Sequence, residues 1–210
     1  MVDYFNTLCE MRRKNPADDL TTHLVQAEEA GDKLSNDELT ANMILLFGAG
    51  FETTVNLIGN GLLALHRNPD QLQLLIDDPA LMPNAIDELL RYDSSVQVTG
   101  RTTLEDVDDI GGIAMPKGQS VICLLGAANR DPAVYADPDK LDIKRADIRP
   151  LSFGGGIHYC LGAQLARIEG EIAIATLLRR LPKLRIDDLD HPDWRQTFVL
   201  RGLNKLPASW

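Results

Sequence analysis

Cysteine is scarce: Cys9, Cys123 and Cys160 are the three thiols in 210 residues, an odd number, far apart, with no C-x-x-C pair. That argues against a disulfide framework and against a cysteine-rich zinc site. Positive charge is also short. Twenty-one Lys and Arg against 31 Asp and Glu leave a net charge of -10 and a pI near 4.8, which disfavours a nucleic-acid surface or binding to anionic membrane. No long apolar run is present. The most apolar stretch, Met43 to Phe51, ends at Glu52 after nine residues, whereas a bilayer crossing needs about 20. It is expected to be a buried helix rather than a membrane span. Met1 to Glu10 lacks a basic start followed by an apolar stretch, so no secretory signal is expected and the cytoplasm is the expected compartment. What is there, 44% hydrophobic and 25% charged residues, suffices for one globular core or two small ones.

The pattern along the chain is mainly helical. Residues 2 to 30 read as helix, broken at Asn15-Pro16 and ending at Gly31. Ser35-x-x-Glu38 is a capping box, and nothing stops the helix it opens until Pro69, so a single helix over 36–68 is expected to cross a whole domain. Shorter helices fit Pro69 to Asp77 and Pro83 to Tyr92, each opened by a proline. Val96 to Ile122 alternates and is punctuated by Gly and Pro, which predicts a small sheet. Residues 129 to 152 predict an irregular meander, Gly162 to Leu181 an amphipathic helix, and KLRI with QTFVLRGLNKL a last strand pair.

The densest chemistry lies in FGGGIHYCLG, residues 153 to 162. A cysteine just ahead of a helix N-terminus meets free backbone N–H groups that favour thiolate, and glycines at 154, 155, 156 and 162 let a broad partner approach. Three readings of Cys160 stand side by side: a small buried hydrophobe, a nucleophile with His158 as base, or the thiolate ligand of a metal whose remaining ligands a cofactor supplies. A haem supplies them.

The stretch resembles the F-x-x-G-x-H-x-C-x-G haem loop of the cytochrome P450 family, and the following A-x-L-A-R-x-E, residues 163 to 169, is similar to its soluble bacterial members. The resemblance implies a mainly α fold with small β-sheets, namely the C-terminal part of the P450 fold including the long central helix and the Cys ligand loop. It makes Cys160 the axial ligand of haem b (iron protoporphyrin IX), a thiolate that favours O–O cleavage, with Phe153, Gly154, His158 and Gly162 lining the cofactor. A-G-F-E-T-T, residues 49 to 54, matches the distal helix: Ala49 and Gly50 face the cofactor, and Glu52 with Thr53 relays protons. Taken alone, those residues also fit tight helix packing around a polar patch. Glu88-x-x-Arg91 resembles the family's E-x-x-R, joined by Arg145 of the meander, a structural network rather than a chemical one; the bland alternative is a solvated ion pair. Arg101 resembles a propionate-binding arginine, with His158 as a second contact. Ser95, Leu141 and Pro150 depart from the family's usual proline, aromatic and histidine.

Length is the larger departure. Residues 1–210 read as a partial P450 domain in which the N-terminal half of the family fold is absent. The expected function is that of a haem-thiolate monooxygenase, or a truncated form of one, acting on a small lipophilic substrate. Electrons would come ultimately from NAD(P)H through a ferredoxin or similar carrier, drawn to positive charge at Arg167, Arg179 and Arg180. A complementary N-terminal segment is a further expected partner. A non-catalytic remnant acting as a helical interaction module and a cysteine hydrolase are the alternatives.

Overall fold

The computed structural model describes residues 1–29 and 34–210. The helix end expected at Gly31 lies outside the described residues. The chain forms two compact units, Met1–Glu52 and Thr53–Trp210.

The first unit contains α1 (Val2–Lys14), α2 (Leu20–Glu29) and the start of α3 (Asn36–Arg67). Its core is small: Phe5, Cys9, Val25, Leu39 and Met43, with the Cys9 thiol 3.3 Å from Met43 Sδ. Ser35 starts α3, as its hydroxyl accepts from the Glu38 N–H at 3.3 Å while the Glu38 carboxylate accepts from the Ser35 N–H at 2.8 Å. That reciprocal pairing satisfies donors that a helix start leaves open.

In the second unit, the rest of α3 packs with α5 (Met82–Tyr92) and α7 (Ala163–Arg180), and α4 (Pro69–Asp77) lies between α3 and α5 in the chain. The core joins Leu57, Leu65, Leu75, Ile86, Leu89 and Ile174 to Leu141 and Ile143 of the meander. Leu141 is buried there as an aliphatic core residue. Two glycines permit the close helix contacts. A Cβ at Gly61 would fall 3.1 Å from Leu89 Cδ1, and one at Gly170 3.2 Å from Leu57 Cδ2. Among the described helices α3 alone is long and apolar enough to cross a membrane. Its second half, however, puts Leu57, Leu62, Leu63 and Leu65 into protein core and buries the amides of Asn56 and Asn60.

The single small sheet expected over 96–122 is instead two antiparallel ribbons. β1 (Val98–Thr102) pairs with β4 (Ser120–Leu124), while β2 (Val107–Ile110) pairs with β3 (Ile113–Met115). The short helix α6 (Leu125–Ala128), built from LGAA, follows β4. The last strand pair also differs from expectation. β5 (Arg185–Ile186) pairs with β6 (Ala208–Ser209), not with QTFVLRGLNKL. That segment is drawn away because its backbone bonds elsewhere: Val199 O accepts from Gln97 N–H at 2.8 Å, and Arg201 N–H donates to Ser95 O at 2.8 Å. Isolated bridges Val96↔Leu200 and Trp194↔Leu203 complete that arrangement.

Candidate functional site

The cysteine loop is shaped by its glycines. Gly154 and Gly156 hold φ of +70° and +62°, a left-handed region that side chains make costly. These turns bring residue 160 back to residue 153, where the Cys160 N–H donates to Phe153 O at 2.9 Å. Three residues later α7 begins. A Cβ at Gly155, Gly156 or Gly162 would meet nothing within 4 Å, so one side of the loop is open. Cys160 and His158 are exposed, Ile157 is 97% exposed and Leu161 86%. The other side is anchored: the Phe153 ring packs edge-on to Tyr159 at 6.4 Å and under the Arg167 guanidinium at 4.7 Å. Arg167 in turn bonds Asp87 of α5 at 2.8 Å.

Behind the loop lies a buried hydroxyl and amide cluster that reading the sequence missed. Asn129 Nδ2 donates to Ser94 Oγ at 2.8 Å and to Ser152 Oγ at 2.9 Å, and its Oδ1 accepts from Leu151 N–H at 2.7 Å. Ser152 also donates to Leu90 O at 2.7 Å. Asn129 opens the N-R-D-P stretch at residues 129 to 132, but its partners are 23 and 35 residues away, and no local spacing reveals them.

Deeper still, Glu88 and Arg91 are fully buried and joined twice, Arg91 Nε to Oε2 at 2.7 Å and Nη2 to Oε1 at 2.9 Å. Arg145 Nε approaches the same carboxylate at 3.2 Å, and the Asp142 N–H donates to it at 2.9 Å. Arg91 also donates to the carbonyls of Asn129 at 2.9 Å and Pro138 at 2.8 Å. Every charge is thus paired, as burial demands.

On α3, Ala49 and Gly50 are exposed, and a Cβ at Gly48 or Gly50 would meet nothing within 4 Å. Glu52 and Thr53 are half-buried. Phe47 and Phe51, at 66% and 74% exposure, leave an apolar face open beside them. Arg101 is exposed on β1 and donates to Thr99 Oγ1 at 2.9 Å and Gly100 O at 2.7 Å. The structure therefore brings Phe153, Gly154, His158, Cys160 and Gly162 into one loop and Glu88, Arg91 and Arg145 into one network. No hydrogen bond joins Arg101 to His158 among the described residues.

The docking charges expected on the cysteine side need correction. Arg167 is committed to Asp87 and Phe153, while Arg179 and Arg180 occupy the last turn of α7, about 25 Å along the helix from its cysteine end.

Among the described residues no three His, Cys, Asp or Glu side chains gather as a bare metal ion would need. One exposed thiol beside an open glycine loop suits a metal that arrives with most of its ligands, as porphyrin iron does.

The comparisons with known proteins point to one family. The family model described as Cytochrome P450 matches residues 2–202. The chain is 50% identical over 213 residues to cytochrome P450 107B1 of Saccharopolyspora erythraea, covering 99% of this chain and 52% of that protein. It is 44% identical over 210 residues to 6-deoxyerythronolide B hydroxylase of the same organism, with the same coverage. Among solved structures, P450BioI in complex with hexadec-9Z-enoic acid ligated acyl carrier protein superposes with a TM-score of 0.93 at 43% identity, covering 100% of this chain and 53% of that one. The chain spans about half the length of the curated relatives it matches.

Proposed function

The chain belongs to the cytochrome P450 family, and from that membership we propose that it supplies the haem-ligating half of a cytoplasmic monooxygenase that inserts one atom of dioxygen into a small lipophilic substrate. The family implies a haem, and this group, when bound, supplies an iron that binds dioxygen and accepts electrons passed from NAD(P)H through a ferredoxin-like carrier. The observation that carries the reading is the loop itself: an exposed Cys160 on a backbone that turns through two left-handed glycines and closes on Phe153.

The chain's own residues divide the work. The Cys160 thiolate would hold the iron, and the glycines would keep side chains out of the way of a flat ring. His158 and Arg101 offer cationic or N–H donors to the ring's carboxylates. Glu52 and Thr53, consecutive on α3, hold water and pass protons toward the reacting face. Glu88, Arg91 and Arg145 keep the meander fixed behind the loop. Arg167 has no charge to spare for an electron carrier, so the carrier's docking face is proposed on family grounds alone.

The test is co-expression with a segment equivalent to the N-terminal half of cytochrome P450 107B1. Stoichiometric haem uptake and oxygenation driven by NAD(P)H with a ferredoxin system are expected, along with little or no haem uptake by the 210-residue chain alone.

A second reading rests on a different observation. Leu161, Leu165, Ile168 and Ile172 recur at helical spacing and are 86%, 59%, 42% and 63% exposed, an apolar stripe that a non-catalytic helical module would present to a partner. Stable association with the N-terminal segment without haem uptake would select this remnant. A cysteine hydrolase has less support, since no hydrogen bond joins His158 to Cys160 among the described residues.

A further inference from the structure

Residues 155–160, the stretch that ends at Cys160, are all exposed, so burial does not hold them. Their backbone bonds stay within or next to the loop. The Tyr159 N–H donates to Gly156 O at 3.1 Å, the Cys160 N–H to Phe153 O at 2.9 Å and the Ala163 N–H to Cys160 O at 3.2 Å. A glycine-rich turn with so little packing keeps conformational freedom of its own. A sulfur that must point in one direction needs a hold from outside the turn.

Arg167 of α7 provides one. Its Nε donates to Asp87 Oδ1 at 2.8 Å, its Nη1 donates to the Tyr159 hydroxyl at 3.4 Å, and its guanidinium carbon lies 4.7 Å from the centre of the Phe153 ring. Phe153 and Tyr159 also meet edge to face at 6.4 Å. Phe153 is the residue whose carbonyl accepts the Cys160 N–H, and Tyr159 is the residue just before the cysteine. One cation therefore grips both ends of the turn. The grip is referred to the rigid part of the fold, because Asp87 adjoins Glu88, which is fixed to Arg91 in the buried network of α5, and Phe153 packs against the main core.

The ion pair itself is partly exposed, at 22% for Arg167 and 28% for Asp87, and such a pair stabilises a fold only slightly. Its consequence is geometric. A planar guanidinium can present an edge to a carboxylate, another edge to a phenol and its face to a ring at the same time, whereas a lysine ammonium carries the same charge without that shape.

We propose that Arg167 is a positioning residue for Cys160: through Phe153 and Tyr159 it fixes the direction in which the sulfur leaves the loop, by its shape rather than its charge. Two readouts test this, one on the chain alone and one that rests on the reading that Cys160 binds iron. In the 210-residue chain, Arg167→Gln and Arg167→Lys are both expected to speed exchange of the Cys160 amide roughly tenfold, while the amide of Ile174, buried in the same helix, keeps its protection and shows that the fold survives. Asp87→Ala loosens the same amide, and the double variant with Arg167→Gln loses less than the sum, because both act on one clamp. Unchanged Cys160 exchange, a lysine variant that behaves as wild type, or strictly additive effects overturn the proposal. On the unsubstituted chain, NMR contacts from the Arg167 side chain to both the Phe153 and Tyr159 rings are expected, and their absence from a folded sample contradicts the clamp.

In the assembly co-expressed with the N-terminal segment, Arg167→Lys is expected to take the red shift from part of the reduced carbon-monoxide band at unchanged haem content. A wild-type assembly without that band, beside a loop that still loosens, would sink the iron reading and leave the clamp standing. A wild-type band that Arg167→Lys leaves untouched would sink the clamp and leave the iron reading standing.

Discussion

Glu88 and Arg91 have no solvent contact, and their charges stand or fall together. Removing one partner leaves the other buried and unpaired, so Arg91→Ala is expected to destabilise the fold by about 3–5 kcal/mol, read by urea titration. Asn129→Ala breaks three hydrogen bonds of the neutral cluster and is expected to cost less, about 1–3 kcal/mol. Asp93 behaves differently. Burial pushes its carboxyl above the ordinary carboxylate value, against the pull of the adjacent Arg201 and the more distant Arg130 and Arg67. A carboxyl raised in the folded state contributes stability that is fully present below its unfolded value and is lost as pH rises through the folded one. The stability of the wild type relative to Asp93→Asn is therefore expected to decline as pH rises from below the ordinary carboxylate value through the raised one. A difference that stays flat across that range would remove Asp93 from the pH response.

Helix α3 begins at a cap whose chemistry has the opposite sign. Hydrogen bonds from the Ser35 N–H, then its hydroxyl, hold the Glu38 carboxyl below its ordinary value, so the cap's contribution is present above the unfolded carboxylate value and fades as pH falls through the lowered one. Amide protection in the first turn of α3 is expected to drop on acidification, and Ser35→Ala is expected to abolish that pH dependence in hydrogen-exchange measurements. At the packed end of the molecule, Gly170→Val would drive a side chain into Leu57 and Ile86, an overpacking expected to cost about 1–3 kcal/mol. Much of this element layout was legible from the sequence, because caps, prolines and apolar periodicity act within a few residues. The Ser35 box and Pro69 bound α3 from its own sequence. Pairings that depend on distant partners were not legible. Ile186 pairs with Ala208 instead of QTFVLRGLNKL because Ser95 and Gln97 take that segment's backbone groups. Arg167 read as spare positive charge, since its partner Asp87 lies 80 residues earlier.

At the scale of the whole molecule, the cysteine loop was legible as a motif, and its backbone turns through the glycines that the motif contains. The cluster supporting it, Asn129 with Ser94 and Ser152, was not, because its geometry exists only once α5, the meander and the loop have packed. The apolar stripe from Leu161 to Ile172 gives the larger-scale proposal a handle. Ile168→Glu, on a face exposed in this chain, is expected to leave the fold intact while abolishing haem uptake on co-expression with the N-terminal segment, as seen by pull-down and haem absorbance. The central claim is that the Cys160 sulfur binds the iron, and the reduced carbon-monoxide spectrum of the co-expressed assembly tests it most directly. The account predicts a red-shifted Soret band that Cys160→Ser eliminates while the two segments remain associated. The same band persisting in Cys160→Ser would contradict it.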